Sequence, residues 1–315
     1  MADSNSWKAI FDYKDIYSHN FDNGPYILEA DVIKKACQNF KETSQKEVRI
    51  LCKQDSREDR PDVFVQNNLF ILPKINGSYY IVKGEGYVDI PDIKTPIQDY
   101  VSKLDFDLIS STVGNSEMQY LDFAYANSLI RTFMDDPSLV LTIRGRKYTP
   151  SFSFIVNGFA LDVKSVQTEV DAGYEGRNSL VLVEAKNSET HNTIIRQLYY
   201  PYRQWYENTK KTVYPLFFEK RIINDEPIFY IWQYEFTNPL DYNSIHLVKS
   251  GRYRIIKKWA LSHITVQRIL ILLLQREIVL NFFQISISSL KWFLQTHHIF
   301  YQMVESLFKA VNKFL

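Results

Sequence analysis

The alternation of apolar and polar residues is clearest around one acid-lysine pair in the middle of the chain. The apolar run Ser179–Val183 leads directly into Glu184, Ala185 and Lys186. Successive strand side chains point to opposite faces at roughly 3.3 Å per residue. The pattern therefore predicts a strand that carries Glu184 and Lys186 on one face, about 7 Å apart, and apolar side chains on the other.

An aspartate ends a second strand-like run just upstream. Turn-forming Gly and Asn residues separate Asp171 from the run that leads into Glu184. If the two strands are antiparallel neighbours folded about that turn, Asp171 comes opposite Glu184, and Glu169 comes opposite Lys186. The pattern thus predicts a cluster of charged side chains at the end of a two-strand arrangement.

Further elements are predicted on both sides of this pair. Ser116 is a candidate N-cap for a helix running to about Met134, and Asn157-Gly158 is a typical hairpin turn. The expected order is that helix, hairpin strands at 151–156 and 159–163, the strand at 179–186, a helix at 190–206, and strands at 213–218 and 228–236. We expect the second hairpin strand to extend through a bulge towards Asp171. This order predicts an α/β layer with a meander inside it.

The first 110 residues show a mixture of shorter signals. The pattern predicts helices at 7–17, capped by Ser6, and at 28–40, and strands at 47–52, 69–72 and 79–82. The last two strands flank Asn76-Gly77, a strong hairpin turn pair. Pro91 and Pro96 mark the expected boundary between this region and the rest of the chain.

Residues 259–315 differ in composition from the rest. They contain no Gly, Pro or Asp and only two acidic residues, Glu277 and Glu305, among many Leu, Ile and Phe. Charged residues interrupt every long apolar run, so no membrane span is expected. Three interpretations stay open: helices packed on the body or on a second subunit, a basic-aromatic recognition segment, and a read-through sequence.

Composition restricts the class of protein. The chain has 315 residues, 45% of them hydrophobic and 23% charged, with a formal net charge of +1. These values are typical of a globular protein, and any nucleic acid must be bound by a local basic patch. The two cysteines, Cys37 and Cys52, are not spaced as a metal clip, and together with the absence of a secretory signal they predict a cytoplasmic protein.

The acid-lysine cluster has a chemical interpretation. Phosphodiester hydrolysis needs a hard cation, and such cations take oxygen ligands from carboxylates and backbone carbonyls. Asp171, Glu184 and the carbonyl of Ala185 could supply these ligands, and Lys186 could polarise the attacking water. An isolated Glu-x-Lys is more often a surface salt bridge, but the buried strand, the upstream aspartate and the following helix favour the site.

These residues resemble a known motif. Asp171, twelve intervening residues and then Glu184-Ala185-Lys186, in αβββαβ order, resemble the PD-(D/E)XK nuclease superfamily and particularly type II restriction endonucleases. The resemblance covers roughly residues 110–236. It implies that Asp171 and Glu184 bind Mg²⁺, as one or two ions with Mn²⁺ as a substitute, and that Lys186 assists the water. Val170 stands where the name of the motif places proline.

The resemblance extends to the flanking helices. Many members add an acid from the helix before the first core strand, which Glu117 resembles, with Asp122 as the second candidate. Gln197 and Tyr200, which share a helix face with Gln204, are similar to a Gln-x-x-Tyr pair in the repair-nuclease branch, so Gln197 is a further candidate catalytic residue. We expect a kink at Pro201.

The same helix and its end carry candidate DNA contacts. Positioning contacts to DNA phosphates come mainly from Arg and Lys. The candidates are Arg196, Arg203, Lys210 and Lys211. The alternative is that these residues simply form a solvated helix face.

Together these observations predict an α/β protein with a restriction-endonuclease-like αβββαβ core. We expect residues 1–110 to be a mixed α+β region for DNA recognition, 111–258 the nuclease core, and 259–315 a helical tail. The expected function is Mg²⁺-dependent, sequence-specific cleavage of double-stranded DNA by a homodimer in a restriction–modification system. A cognate DNA methyltransferase would be a system partner without direct contact. The alternatives are a structure-specific repair or recombination nuclease and a catalytically inactive DNA-binding module.

Overall fold

A seven-stranded mixed sheet forms the centre of the protein in the computed structural model, which describes residues 2–257. These residues belong to one compact unit. The expected helical tail at 259–315 lies outside the described residues. Among the described residues, no helix is both long and apolar enough to cross a membrane.

The N-terminal part combines short helices with a three-stranded sheet. Its elements are α1 (Ser4–Lys14), β1 (Tyr26–Glu29), α2 (Ala30–Ala36), α3 (Thr43–Lys46), α4 (Val48–Leu51), α5 (Asp62–Gln66), β2 (Leu69–Ile75) and β3 (Ser78–Lys83). The sheet order is β1-β3-β2, and all its pairs are antiparallel. The hairpin predicted around Asn76-Gly77 is confirmed.

Three predictions in this part were wrong. The segment 47–52 is helical rather than extended, because its two buried residues, Val48 and Leu51, lie three apart, which suits a helix. The predicted helix at 28–40 begins only at Ala30, after a short strand. Asp3 caps α1 instead of Ser6, and its carboxylate accepts a hydrogen bond from the Ser6 backbone N–H.

The remaining elements build the large sheet and its covering helices. They are β4 (Tyr87–Asp89), β5 (Gln98–Val101), α6 (Glu117–Ala126), α7 (Leu129–Phe133), β6 (Val140–Tyr148), β7 (Phe152–Val156), β8 (Phe159–Val163), β9 (Gln167–Glu175), β10 (Ser179–Lys186), β11 (Asn192–Ile194), α8 (Arg196–Asn208), β12 (Thr212–Ile223), β13 (Glu226–Phe236) and β14 (Ile245–Ile256). The order across the large sheet is β5-β14-β13-β12-β10-β9-β6. The described residues thus form a mixed α/β fold with eight α-helices.

The middle of the sheet is a meander followed by a crossover. β6, β9 and β10 pair antiparallel in sequence, and β10 then pairs parallel with β12. Two parallel neighbours need a long connection, and α8 supplies it. The first helix of the series begins where it was predicted, since the Ser116 side chain accepts a hydrogen bond from the Gln119 N–H. It breaks at Ser128, which has a φ of 67°, so the predicted single helix is in fact α6 and α7.

The predicted hairpin forms with the expected pairing, Phe154 opposite Leu161 and Val156 opposite Phe159. However, β7 and β8 make a separate two-stranded sheet, and β8 ends at Val163 instead of continuing to Asp171. The first strand of the meander is therefore β6, which the sequence pattern did not indicate. The hairpin is an insertion between β6 and β9.

The two faces of β10 are buried against different helices. Val181, Val183 and Ala185 pack into the apolar cluster that includes residues of α6 and α7, as the alternation predicted. Leu180 and Leu182 belong to the cluster that includes the buried side chains of α8. The α8 helix begins at Arg196, later than predicted, because residues 192–194 pair with β4 as β11.

Candidate active site

Asp171 and Glu184 come together at the end of the β9–β10 ladder. The backbone pairs run from Leu180 opposite Glu175 to Val183 opposite Ala172. The same register, continued by one residue, places Asp171 opposite Glu184, as predicted. At this point a side chain replaces the backbone pairing, since the Ala185 N–H donates a 2.7 Å hydrogen bond to Oδ2 of Asp171.

Glu184 and Lys186 form a close ion pair on the α8 side of the sheet. Lys186 Nζ donates to Oε1 of Glu184 at 2.5 Å. The exposed fraction of the side chain is 11% for Glu184 and 25% for Lys186. A pair so largely removed from water interacts far more strongly than an exposed one. The Glu184–Lys186 pair is therefore not a solvated surface salt bridge.

Burial shapes the protonation of these groups. It raises the pKa of Glu184 to about 7, against the opposing effect of Lys186, and the Asp171 carboxylate adds to the rise. Burial also raises the pKa of Asp171, although the Ala185 N–H and Lys186 partly offset it. For Lys186, burial alone would lower the pKa, but the Glu184 carboxylate outweighs it and the pKa lies above its ordinary value. Lys186 alone therefore does not compensate the negative charges of Asp171 and Glu184.

One predicted neighbour of the site also has a partner on the other side of β9. The β9–β10 register, continued further, would place Glu169 opposite Lys186, but the backbone pairs end at Ala172 and Val183, so this pairing stays a prediction. On the β6 side Glu169 lies opposite Arg146, and Arg146 Nε contacts its carboxylate at 3.3 Å. Glu169 still lines the same cleft as Asp171.

The two extra acids proposed from α6 have different surroundings. Glu117 is the first residue of α6 and lines the cleft, and its charge raises the pKa of both Asp171 and Lys186. Asp122, the second candidate, forms a two-pronged ion pair with Arg144 of β6. Glu117 therefore fits the role of an additional site acid, and Asp122 does not.

A cleft of about 660 Å³ contains the acid-lysine cluster. It is lined by residues from three parts of the chain: Arg49, Lys53, Asp55, Asn76 and Tyr79 from the N-terminal part, Glu117, Arg146, Glu169, Asp171, Glu184 and Lys186 from the large sheet and α6, and Arg196, Gln197 and Tyr200 from α8. We call this space the acid-lysine cleft. A space of this size and polarity suits a charged ligand.

Two of the three residues of the predicted α8 face, Gln197 and Tyr200, line this cleft. Gln197 Oε1 accepts a 2.5 Å hydrogen bond from the Thr193 hydroxyl, so its amide nitrogen remains for a ligand. Tyr200 is buried and donates to the Pro73 carbonyl at 2.9 Å. Gln204 is also buried and accepts from the Thr168 hydroxyl at 3.0 Å. Gln197 is thus the member of this face best placed to meet a ligand, and the other two support it.

The four predicted phosphate contacts do not share one surface. Arg196 lines the acid-lysine cleft and pairs with Asp55 at 3.3 Å. Arg203 is wrongly assigned, because it is 2% exposed and donates to the Ser153 carbonyl and to Glu207. Lys211 binds Glu175 and does not line the cleft, so its contact with DNA stays a prediction. Lys210 is exposed beyond α8 and does not line the cleft.

Sequence reasoning missed the contribution of the N-terminal part to the cleft. Arg49 lies in α4, and Lys53 follows it by four residues. Residues at this spacing share one face of a helix, but the pattern of 47–52 predicts a strand. Arg146 had no signal, because β6 was not recognised. Only the structure shows that these residues meet the cluster around Asp171.

The donor set suits a hard divalent cation. Within the described hydrogen bonds, one oxygen of Asp171 and one of Glu184 are used, which leaves the second oxygen of each for a ligand. The Ala185 carbonyl lies on the same strand edge as its N–H, towards Asp171. No group of three or more His, Cys, Asp or Glu side chains in residues 2–257 is already arranged around a metal position. The possible set is therefore two carboxylates and a carbonyl, completed by water, which Mg²⁺ accepts.

The described residues thus form a mixed α/β protein whose cleft contains an acid-lysine cluster. The chain belongs to the family described as Domain of unknown function (DUF6997), whose model matches residues 82–254. A second family, Domain of unknown function (DUF6996), matches residues 4–81. Comparison with curated proteins and with solved structures gave no match.

Proposed function

We propose that this protein is a Mg²⁺-dependent DNA endonuclease of the PD-(D/E)XK kind. The observation that carries the proposal is the meeting of Asp171, Glu184 and Lys186 in one cleft, tied together by the Ala185–Asp171 and Lys186–Glu184 hydrogen bonds. Two carboxylates beside a lysine match the needs of metal-assisted phosphodiester hydrolysis.

The topology around the site supports the same proposal. The series α6, β6, β9, β10, α8 and β12 has the αβββαβ order, with an antiparallel meander and a parallel last pair. The insertion of β7 and β8 does not interrupt this pairing. Asp171 and the Glu184–Lys186 pair lie where the backbone ladder between β9 and β10 ends, which agrees with the resemblance to the nuclease superfamily.

The residues of the cleft divide the work of hydrolysis between them. Asp171, Glu184 and the Ala185 carbonyl would hold Mg²⁺, with Glu117 as an additional acid and Mn²⁺ as a substitute ion. Such an ion would neutralise charge on the reacting phosphate and would make water a better nucleophile at neutral pH. The Lys186 ammonium orients the attacking water and stabilises charge that develops in the transition state. Gln197 holds the scissile phosphate or the water through its amide.

The biological assignment follows from the same resemblance. We place the protein in a bacterial restriction–modification system, where a homodimer would cut both strands of a specific duplex sequence in the cytoplasm. The methyltransferase of that system would protect the same sequence without binding this chain. A structure-specific repair nuclease is the second candidate, because Gln197 and Tyr200 both line the cleft.

Cleavage of plasmid DNA by the purified protein tests the proposal. With Mg²⁺ we expect discrete fragments, and with EDTA no cutting. Asp171→Asn and Lys186→Ala should each abolish cutting, while Asp122→Asn should not, because Asp122 is an acid on α6 that pairs with Arg144. Asp122→Asn is thus the matched control for the loss of one negative charge.

The assay separates the alternatives. Smeared products or selective cutting of branched DNA would favour the repair nuclease, and DNA binding without cutting would favour an inactive module. Cutting by Asp171→Asn at the native rate would show that the site lies elsewhere.

A further inference from the structure

The N-terminal part of the chain forms one wall of the acid-lysine cleft. Arg49, Lys53 and Asp55, all from the segment around α4, line it together with Asp171 and Glu184 of the large sheet. The two family models divide the chain at residues 81 and 82, yet this single cleft takes residues from both regions. We name the surface made by Arg49, Lys53 and Asp55 the N-terminal wall.

The wall is fixed to the rest of the cleft by an ion-pair bridge. The Asp55 carboxylate contacts Lys53 Nζ at 3.6 Å and Arg196 Nη2 at 3.3 Å, so it links the wall to the first residue of α8. Two backbone contacts strengthen this link, since the Ile194 N–H donates to the Asp55 carbonyl at 2.8 Å and the Arg57 N–H donates to the Asn192 side chain at 2.7 Å. The position of the wall relative to α8 is therefore set by direct bonds.

The basic side chains of the wall are free to meet a ligand. The exposed fraction is 86% for Arg49 and 70% for Lys53, and each has a long ion pair, 3.8 Å to Glu47 and 3.6 Å to Asp55. Exposed pairs of this length are worth little, so exchanging one for a phosphate costs little. By contrast, Arg196 is largely buried beside Asp55.

The carboxylates that line the cleft make additional basic groups necessary for binding a nucleic acid. Glu117, Glu169, Asp171 and Glu184 would repel the phosphates of a nucleic acid, and Lys186 is already paired with Glu184. A bound cation compensates only the charge next to it. Phosphates on either side of the cut must be held by other basic groups, and the Arg49 and Lys53 ends extend from the cleft lining into water.

We infer that Arg49 and Lys53 bind the DNA backbone beside the cleavage site, and that Asp55 competes with the phosphates for Lys53 and Arg196. This inference rests on the proposed nuclease function and assigns the DNA-positioning role to the N-terminal part. Phosphate contacts of this kind raise affinity for every sequence and position the duplex without reading bases. Through the N-terminal wall, the region 4–81 thus contributes residues to the active site.

Binding of the full-length protein to a short labelled DNA duplex in EDTA tests the inference without cleavage. The double variant Arg49→Gln/Lys53→Gln should bind roughly tenfold more weakly, and the slope of log K against log salt should fall by about 2, roughly one for each lost phosphate contact. Lys8→Gln/Lys34→Gln makes the same charge change in the same region outside the cleft and should leave both values unchanged. Asp55→Asn should bind several-fold more tightly, because it removes the competing carboxylate.

The outcomes distinguish this inference from the proposed function. Native affinity in the Arg49→Gln/Lys53→Gln variant, or an equal loss in the control, would overturn the wall while the nuclease proposal stands. Weaker binding by Asp55→Asn would overturn the competition and leave Asp55 as a positioning residue only. If the native protein binds the duplex through the wall but Mg²⁺ never produces cleavage, the nuclease proposal fails and the wall survives. If the native protein neither binds the duplex nor cuts DNA with Mg²⁺, both fail.

Discussion

The Ala185 N–H and the Asp171 carboxylate join β10 to β9 through a 2.7 Å hydrogen bond at the point where their backbone ladder ends. One oxygen of Asp171 thus has a structural role, and the other is available for a ligand. The bond fixes Asp171 relative to Glu184 and Lys186, which lie on either side of Ala185. We therefore expect Asp171 to contribute to stability through its hydrogen-bonded oxygen and to catalysis through the other oxygen.

Substitutions of Asp171 should separate these two roles. Asp171→Asn keeps an oxygen that can accept from Ala185, so its free energy of unfolding should stay within about 1 kcal/mol of the native value. Asp171→Ala leaves the Ala185 N–H without that partner and should cost about 1–3 kcal/mol. Both variants should lose cleavage. Urea unfolding followed by circular dichroism, together with the plasmid assay, measures the difference, and equal stability of the two variants would show that the bond contributes nothing.

The stability of the metal-free protein should depend on pH through Glu184. Its pKa in the folded protein is raised from 4.5 to about 7, so folding favours the protonated form. The stabilising contribution is fully present below pH 4.5 and is lost as pH rises through about 7. Relative to Glu184→Gln, the native chain should therefore lose stability on the order of 3 kcal/mol over this interval in EDTA.

Thermal unfolding of both chains at several pH values gives the comparison directly. Groups away from the site titrate equally in the two chains, so the difference between their curves reports Glu184 together with the two groups coupled to it, Asp171 and Lys186. Parallel curves would mean that the Glu184 carboxyl has an ordinary pKa in the folded protein.

The centre of the site was predictable from sequence because local order in the chain determines it. Residues two apart in a strand share a face, so Glu184 and Lys186 lie together on the face opposite Val183 and Ala185, and the short turn after β9 places Asp171 beside them. The register then followed from the spacing of the residues. No contact distant in sequence was needed to find it.

The rest of the cleft depends on contacts that local patterns do not contain. The strand β6 lies at the edge of the sheet with most of its side chains exposed, so its residues show no alternation. Asp55 and Arg196 lie 141 positions apart in the chain, and their pairing follows from the packing of two separate parts. A six-residue segment such as 47–52 fits a strand or a helix about equally well, which explains why α4 was misassigned and the N-terminal wall was missed.

Gln197 should affect cleavage more than folding. Its side-chain oxygen accepts from the Thr193 hydroxyl, so its amide group is held in one orientation at the cleft. Gln197→Ala should lower kcat/KM roughly ten- to hundredfold, with a change in the free energy of unfolding below about 1 kcal/mol. Thr193→Val removes only the orienting hydroxyl and should produce a smaller loss of the same sign. Cleavage kinetics at saturating and limiting DNA measure both, and a larger effect of Thr193→Val than of Gln197→Ala would contradict the assignment.

Arg203 and Arg196 provide a matched pair of arginines on one helix with different expected roles. Arg203 is 2% exposed, donates to the Ser153 carbonyl, the Tyr199 hydroxyl and Glu207, and its guanidinium lies over the Phe152 ring. Arg203→Gln should therefore lower the free energy of unfolding by about 1–3 kcal/mol and leave the DNA affinity of the folded protein within about twofold of native. Arg196→Gln, at the cleft, should weaken DNA binding with a smaller change in stability. Urea unfolding and duplex binding in EDTA test both variants, and loss of DNA affinity by a fully stable Arg203→Gln protein would restore Arg203 as a phosphate contact.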